Sequence, residues 1–110
     1  GLFRLTRKVQ VLEPVAPHVS VDNDCSEHHS VVDVFAQDSP GLLYTLALTL
    51  HQHGLSVELA RIATNVDQVV DVFYVADQES QKLESPEKIE ELKSALMHEL
   101  LELQRDWEGS

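Results

Sequence analysis

Cysteine and glycine are both scarce in this chain of 110 residues, which contains one cysteine and four glycines. A single cysteine, Cys25, excludes an internal disulfide, so a reducing compartment such as the cytoplasm is the expected location. The glycines, at positions 1, 41, 54 and 109, are too scattered to form a phosphate-binding loop. No apolar run reaches the roughly 18 residues that a membrane-spanning helix requires, and none follows the basic residues near the N-terminus as in a secretory signal.

Basic residues are also scarce, because 8 Lys and Arg residues stand against 19 Asp and Glu residues, a formal net charge of -11. A surface this negative repels phosphate backbones, so we expect no nucleic-acid partner. Much of the acid lies in residues 79–108, which we interpret as the solvated face of an amphipathic helix. The hydrophobic content of 43% is that of one ordinary globular domain.

The side chains that could carry chemistry do not form a recognisable set. His51 and His53 are two apart, which on a helix directs them about 200° from each other. His28 and His29 are adjacent, and no cysteine or second histidine stands at metal-ligand spacing from them. Cys25 lacks a visible orienting group for a Cys–His pair. The sequence therefore predicts no catalytic residue, no metal site and no cofactor.

Four segments predict β-strands, namely residues 18–23, 30–37, 55–66 and 69–77. The first alternates between apolar and polar residues, and the second is a β-branched run that is apolar on both faces. In the third segment the apolar face changes sides, which predicts a bulge near residues 58–60. The turn "NVDQ" then joins the third and fourth strands in a hairpin. The fourth strand is apolar on both faces except at Asp71. Residues 1–17 contain Pro14 and Pro17 and are interpreted as an arm or linker, leaving residues 18–108 as the domain.

Two amphipathic helices are predicted, each beginning with a serine followed by a proline. Ser39 and Ser85 are expected N-caps, and the prolines that follow suit the first helical position. Gly54 is expected just past the end of the first helix. The apolar stripes comprise Leu42, Leu43, Leu46, Ala47 and Leu50 in the first helix, and Ile89, Leu92, Leu96, Leu100, Leu103 and Trp107 in the second.

Gly41, in the expected second position of the first helix, has two interpretations. Glycine is a poor helix former, so its presence calls for a reason. It could let a ligand approach the free amides of the first turn, which form an anion site, or it could relieve crowding against a strand. The sequence favours neither interpretation.

The predicted order is strand, strand, helix, strand, strand, helix. This order suits an antiparallel sheet with both helices packed on one face, which is an α+β sandwich.

The segment from residue 31 to about residue 80, and in particular "DSPGLL", "GLSVELARIAT" and "DVFYVAD", resembles an ACT domain, the small ligand-sensing module of amino-acid metabolism. The resemblance implies a ferredoxin-like sandwich with a four-stranded antiparallel sheet. ACT domains ordinarily follow the order βαββαβ and end on a strand beside the first. Here we expect residues 18–23 to take that place, which gives the permuted order ββαββα.

The resemblance also implies a ligand site. ACT domains bind amino acids where the loop before the first helix meets a strand of a neighbouring domain. On this chain that implicates the loop and helix residues Asp38, Ser39, Gly41, Leu42 and Leu43, together with Ala60 and Ile62 on a strand.

The upstream residues "PHVSVDNDCSEHH" are similar to the C-terminal ACT repeat of the protein-PII uridylyltransferase/uridylyl-removing enzymes. This resemblance implies a regulatory domain that senses glutamine. Because a lone domain of this kind exposes edge strands and strands that are apolar on both faces, we also expect a homodimer, either edge to edge or face to face. In those enzymes Arg usually occupies the position of Ser39, and the hairpin turn often contains glycine, which "NVDQ" lacks. The alternative is an interaction module, or a free-standing or plant-type ACT-repeat protein, that binds no ligand.

Overall fold

Six elements follow one another in the order ββαββα within residues 16–108, the part of the chain that this computed structural model describes. Their bounds are β1 His18–Asp22, β2 Ser30–Gln37, α1 Leu42–Gln52, β3 Ser56–Asn65, β4 Gln68–Ala76 and α2 Pro86–Glu108. The predicted fold class and element order are confirmed. The predicted arm falls almost entirely outside the described residues and stays a prediction.

The four strands form one antiparallel sheet in the order β1-β2-β4-β3. β1 lies beside β2, with Val19 opposite Val34, as the permuted order requires. β2 and β4 occupy the centre and β1 and β3 the edges. β2 and β4 therefore have a hydrogen-bonded neighbour at each edge, whereas β1 and β3 have one edge unpaired within the described chain.

The predicted irregularity in β3 is present as a register shift between Val57 and Leu59. Beyond the shift, Leu59 pairs with Tyr74 and Ile62 pairs with Asp71. Residues that pair directly across antiparallel strands lie on the same face of the sheet. The shift therefore sets which β3 side chains face the helices, and it places Ile62 on the same face as Asp71.

Both helices pack on one face of the sheet and enclose the core. Alternate residues of β2 point into the core, as the alternation predicts, whereas the α2 stripe contributes side chains one helical turn apart. The core members most deeply buried, each with 2% or less of its surface exposed, are Val32, Val34, Leu46, Leu50, Leu55, Phe73, Val75, Leu92 and Leu96.

Helix α1 begins two residues later than predicted, at Leu42 rather than Pro40. Gly41 has φ 78° and ψ 3°, which are the angles of the third position of a type II turn. Proline suits the second position, and the Leu42 amide closes the turn by donating to the Ser39 carbonyl oxygen at 3.2 Å. No side chain caps the helix, so the predicted capping role of Ser39 is wrong.

The C-terminus of α1 and the N-terminus of α2 agree with the predictions from the sequence. Gly54, at φ 78°, follows α1 in a Schellman motif. In this motif the Gly54 amide donates to the His51 carbonyl oxygen, and the Leu55 amide donates to the Leu50 carbonyl oxygen. Ser85 caps α2, since its carbonyl oxygen accepts from the Ile89 amide at 2.9 Å and its hydroxyl from the Lys88 amide at 3.4 Å.

Candidate functional site

A cavity of 240 Å³ opens between the N-terminus of α1 and the paired strands β3 and β4. The type II turn before α1 forms one wall, and the helix-facing side of the hairpin forms the other. The lining residues are Asp38, Ser39, Gly41, Leu42, Leu43, Tyr44, Ile62, Thr64, Val69 and Asp71. Every predicted site residue except Ala60 lines this cavity. Ala60 lies farther along β3, opposite Phe73.

The first turn of α1 supplies hydrogen-bond donors. Within residues 16–108, the Leu43 and Tyr44 amides have no acceptor, because the first bond of the helix runs from the Thr45 amide to the Gly41 carbonyl oxygen at 2.9 Å. Free amides at a helix N-terminus, together with the helix dipole, form a site for an anion or a carboxylate. The carboxylate of Asp38 does not occupy this role, since no side chain caps the helix.

Gly41 is explained by its backbone conformation. A positive φ of this size is ordinary for glycine and strained for residues with a Cβ atom. A Cβ at this position would meet no atom within 4 Å, so relief of crowding against a strand is excluded. Gly41 is also one of the residues that line the cavity.

Asp71 lies in the wall opposite the amides and is the one charged side chain buried among residues 16–108. It is 2% exposed, and its Oδ1 atom has no hydrogen-bond partner. Burial, and secondarily the negative charge of Asp38, raises the pKa of the Asp71 carboxyl above its ordinary value. A buried acceptor without a partner is unfavourable, so this side chain needs an explanation beyond packing.

Sequence reasoning missed Asp71 as a site residue, although it noted the single polar interruption of the fourth strand. A single acidic residue in a strand that is otherwise apolar on both faces is the sequence feature that could have identified Asp71. Thr64 and Val69 were missed as well, because they enter the site only through the strand register, in which they pair with each other.

The composition of the lining limits what the cavity can hold. Leu42, Ile62 and Val69 are apolar, and Ser39 and Thr64 carry hydroxyls. The acidic residues of the lining are Asp38 and Asp71, and no Lys or Arg lines the cavity to balance their charge. Donor amides in the α1 wall and the Asp71 carboxyl in the opposite wall match a small molecule that carries both a carboxylate and an ammonium group.

A wider groove of 410 Å³ lies between β1 and α2. Its lining is Val19, Lys93, Ser94, Met97, His98 and Leu101, and none of the buried polar side chains of the described chain reaches it. Since this groove offers no buried polar group without a partner, the smaller cavity at α1 is the better candidate site.

Residues 16–108 contain no group of three or more His, Cys, Asp or Glu side chains that could hold a metal ion. Neither helix in that range is both long and apolar enough to cross a membrane.

A family model described as "ACR9-like, ACT-like domain" matches residues 18–105. Among curated proteins, the chain is similar to bifunctional uridylyltransferase/uridylyl-removing enzymes. It is 42% identical over 83 residues to that of Phenylobacterium zucineum, covering 76% of this chain, and 37% identical over 86 residues to that of Azospirillum brasilense, covering 78%. The match to the Pseudomonas aeruginosa enzyme is 39% over 85 residues, or 77% of this chain. In each case the chain spans only 9% of the relative's length.

Proposed function

The chain belongs to the ACT-like domain family, whose model covers residues 18–105, and from this premise we propose that it is a regulatory domain that binds a free amino acid in the cavity at α1. The observation that carries the proposal is the pairing of unused donors with an unused acceptor. The Leu43 and Tyr44 amides and the Asp71 carboxyl all lack hydrogen-bond partners in the described chain, and the three residues line one cavity. An amino acid supplies the complementary groups.

Glutamine is the proposed ligand, and the proposed context is nitrogen regulation within a cytoplasmic uridylyltransferase/uridylyl-removing enzyme. The support is the similarity to bacterial enzymes of that name at 37–42% identity. Within such an enzyme this domain would contribute regulation rather than catalysis. With Ser39 in a position where an Arg is usual, we expect binding no tighter than the millimolar range, a free energy of about -4 kcal/mol.

A homodimer through the edge of β3 is part of the proposal. All ten residues of β3 are exposed, whereas nearly all residues of the central strands are buried or half-buried. An exposed apolar edge strand is a template for pairing with another strand. Ile62 and Thr64 belong both to this edge and to the cavity. A second copy paired here would border the bound ligand.

The exposure of β3 also favours a second candidate function, an interaction module that pairs with another ACT domain and binds no ligand. The two candidates differ in whether a small molecule contacts the N-terminus of α1. Both candidates predict that the chain pairs with another ACT domain through the edge of β3.

A titration of the 110-residue chain with each of the twenty amino acids, followed by backbone amide NMR, separates the candidates. The sensing function predicts saturable shifts at residues 38–44 with glutamine at millimolar concentration. The matched control region is the groove at residues 93–101, where no shift is expected. If no amino acid shifts residues 38–44 at tens of millimolar, the sensing function is wrong and the interaction module remains.

A further inference from the structure

Asp71 lies at an unusual place for a carboxyl group. It is on a central strand, on the face that packs against the helices, and its neighbours along that face are Val69 and Phe73. Its exposed fraction is 2%, yet its Oδ1 has no donor. A valine would complete the apolar pattern of β4, so packing alone does not require an acid here.

The cavity places this unused acceptor opposite the unused donors of α1. A ligand carboxylate that accepts from the Leu43 and Tyr44 amides leaves its other groups directed away from the helix, toward the hairpin wall. Asp71 is the buried polar side chain in that wall. Because so little of it is exposed, only a compact donor can reach it, and an ammonium group is more compact than a guanidinium group.

We propose that Asp71 accepts the ammonium group of the bound ligand and thereby makes the cavity specific for free amino acids over 2-oxo acids and N-acylated amino acids. This inference rests on the proposed amino-acid-binding function. It adds the group that determines which class of carboxylic acid is accepted.

The electrostatics of the cavity support this specificity. Asp38 adds a second negative charge, and no basic side chain of the lining balances the two. An ammonium group offsets this charge, whereas a 2-oxo acid brings only another negative charge. An N-acylated amino acid has a bulky amide in place of the ammonium group, and that amide fits neither the charge nor the narrow access to Asp71.

The other ionisable groups around Asp71 are few. Asp38 faces it from the loop before α1 and Tyr44 from α1 itself, while Ile62 and Thr64, the β3 residues that line the cavity, are uncharged. Pairing with an ammonium group favours the ionised carboxyl, so ligand binding would lower the raised pKa of Asp71. The pKa of Asp71 can therefore be measured with and without ligand to detect the contact at Asp71 itself.

The test compares the wild-type chain with Asp71→Asn, which keeps the shape of the side chain and removes its charge. The matched control is Asp33→Asn, because Asp33 lies on neighbouring β2 but pairs with Val72, on the opposite face of the sheet. The probes are L-glutamine, its 2-oxo acid and N-acetyl-L-glutamine. Affinities come from the amide shifts of residues 38–44, and the pKa of Asp71 comes from its carboxyl ¹³C shift with and without glutamine.

We expect Asp71→Asn to bind glutamine at least tenfold more weakly than wild type and Asp33→Asn to bind it equally well. The two analogues should bind wild type at least tenfold more weakly than glutamine, and glutamine should lower the pKa of Asp71. If glutamine shifts residues 38–44 equally in wild type and Asp71→Asn, or if the analogues bind as well as glutamine, the role of Asp71 is refuted while the sensing function stands. If no amino acid binds wild type, both proposals are refuted.

Discussion

The side chain of Asn23 donates a hydrogen bond to the carbonyl oxygen of Leu83 at 2.8 Å, across 60 positions of sequence. Two further hydrogen bonds, through Ser30, complete a link between Asn23 and Leu83. The Leu83 amide donates to the Ser30 hydroxyl at 2.9 Å, and that hydroxyl donates to Asn23 Oδ1 at 2.5 Å. Lys82 adds a bond from its ammonium group to the Asn23 carbonyl oxygen at 2.7 Å. The turn that follows β1 is thus fixed to the loop that precedes α2.

This link predicts a measurable loss of stability when it is broken. Ser30 is fully buried, so Ser30→Ala leaves the Leu83 amide and the Asn23 Oδ1 atom without a partner. We expect a decrease in the free energy of unfolding of about 1–3 kcal/mol, measured by urea denaturation. Ser94→Ala, on the exposed surface of α2, is the control and should change stability by less than about 0.5 kcal/mol. A loss no larger than that of the control would show that the link contributes nothing.

The residues of this link also show how far the sequence determines the fold. Alternation in β1 and β2 and the apolar stripe of α2 predict both elements and their order, because each pattern depends on local periodicity. The bonds between Asn23 and Leu83 have no local signature. They arise only when β1 takes the edge position beside β2, and that placement came from the family resemblance.

The residues of the candidate site also differ in whether the sequence predicts them. The motif "DSPGLL" resembles a family motif and so points to the loop residues before α1, but its pattern predicts a helix start two residues earlier than the observed one. A serine followed by Pro-Gly fits both a capped helix start and a type II turn, and only the positive φ of Gly41 distinguishes them. Asp71 enters the site through the register of β4 against β3, which follows from a bulge whose position the sequence locates only approximately.

The conformation of Gly41 changes what a substitution there should do. A replacement such as Gly41→Leu, chosen to fill the cavity, would also strain the turn. Gly41→Ala isolates the backbone effect, since a Cβ meets no neighbouring atom. We expect a loss of about 1–2 kcal/mol in the free energy of unfolding for Gly41→Ala and a smaller loss for Gly41→Asn, because Asn tolerates a left-handed conformation better. Equal losses for the two variants in thermal or urea unfolding would contradict this explanation.

Asp71 should make the stability of the domain depend on pH. An acid whose pKa is raised by folding binds more protons in the folded state, so its contribution to stability is present below the unfolded pKa of about 3.9 and is lost as the pH rises through the folded pKa. Asp71→Asn should therefore stabilise the ligand-free domain by about 1–3 kcal/mol at pH 7. The difference from wild type should shrink toward pH 4. Urea denaturation from pH 4 to pH 8 measures it, and a difference that grows toward low pH would contradict the assignment.

Pairing through β3 predicts that a charge on that edge blocks self-association. Leu59 is 48% exposed on β3, and Leu59→Lys places a cation on the pairing edge. Leu101→Lys is the matched control, because Leu101 is 52% exposed but lies on α2. By sedimentation velocity at tens of micromolar, wild type and Leu101→Lys should be dimers and Leu59→Lys a monomer. A monomeric wild type, or a dimer lost only in Leu101→Lys, would refute the proposed edge.

Ligand binding and self-association should be coupled, because Ile62 and Thr64 belong to both surfaces. If a second copy borders the ligand, the dimer binds glutamine more tightly than the monomer does. Linkage then requires that glutamine strengthen the dimer by the same factor. We expect the dimer dissociation constant to fall at least threefold in saturating glutamine, as measured by sedimentation equilibrium. The apparent glutamine affinity of wild type should likewise rise with protein concentration, whereas that of Leu59→Lys should not. An affinity that is independent of concentration in both proteins would mean that the cavity at α1 is complete within one chain.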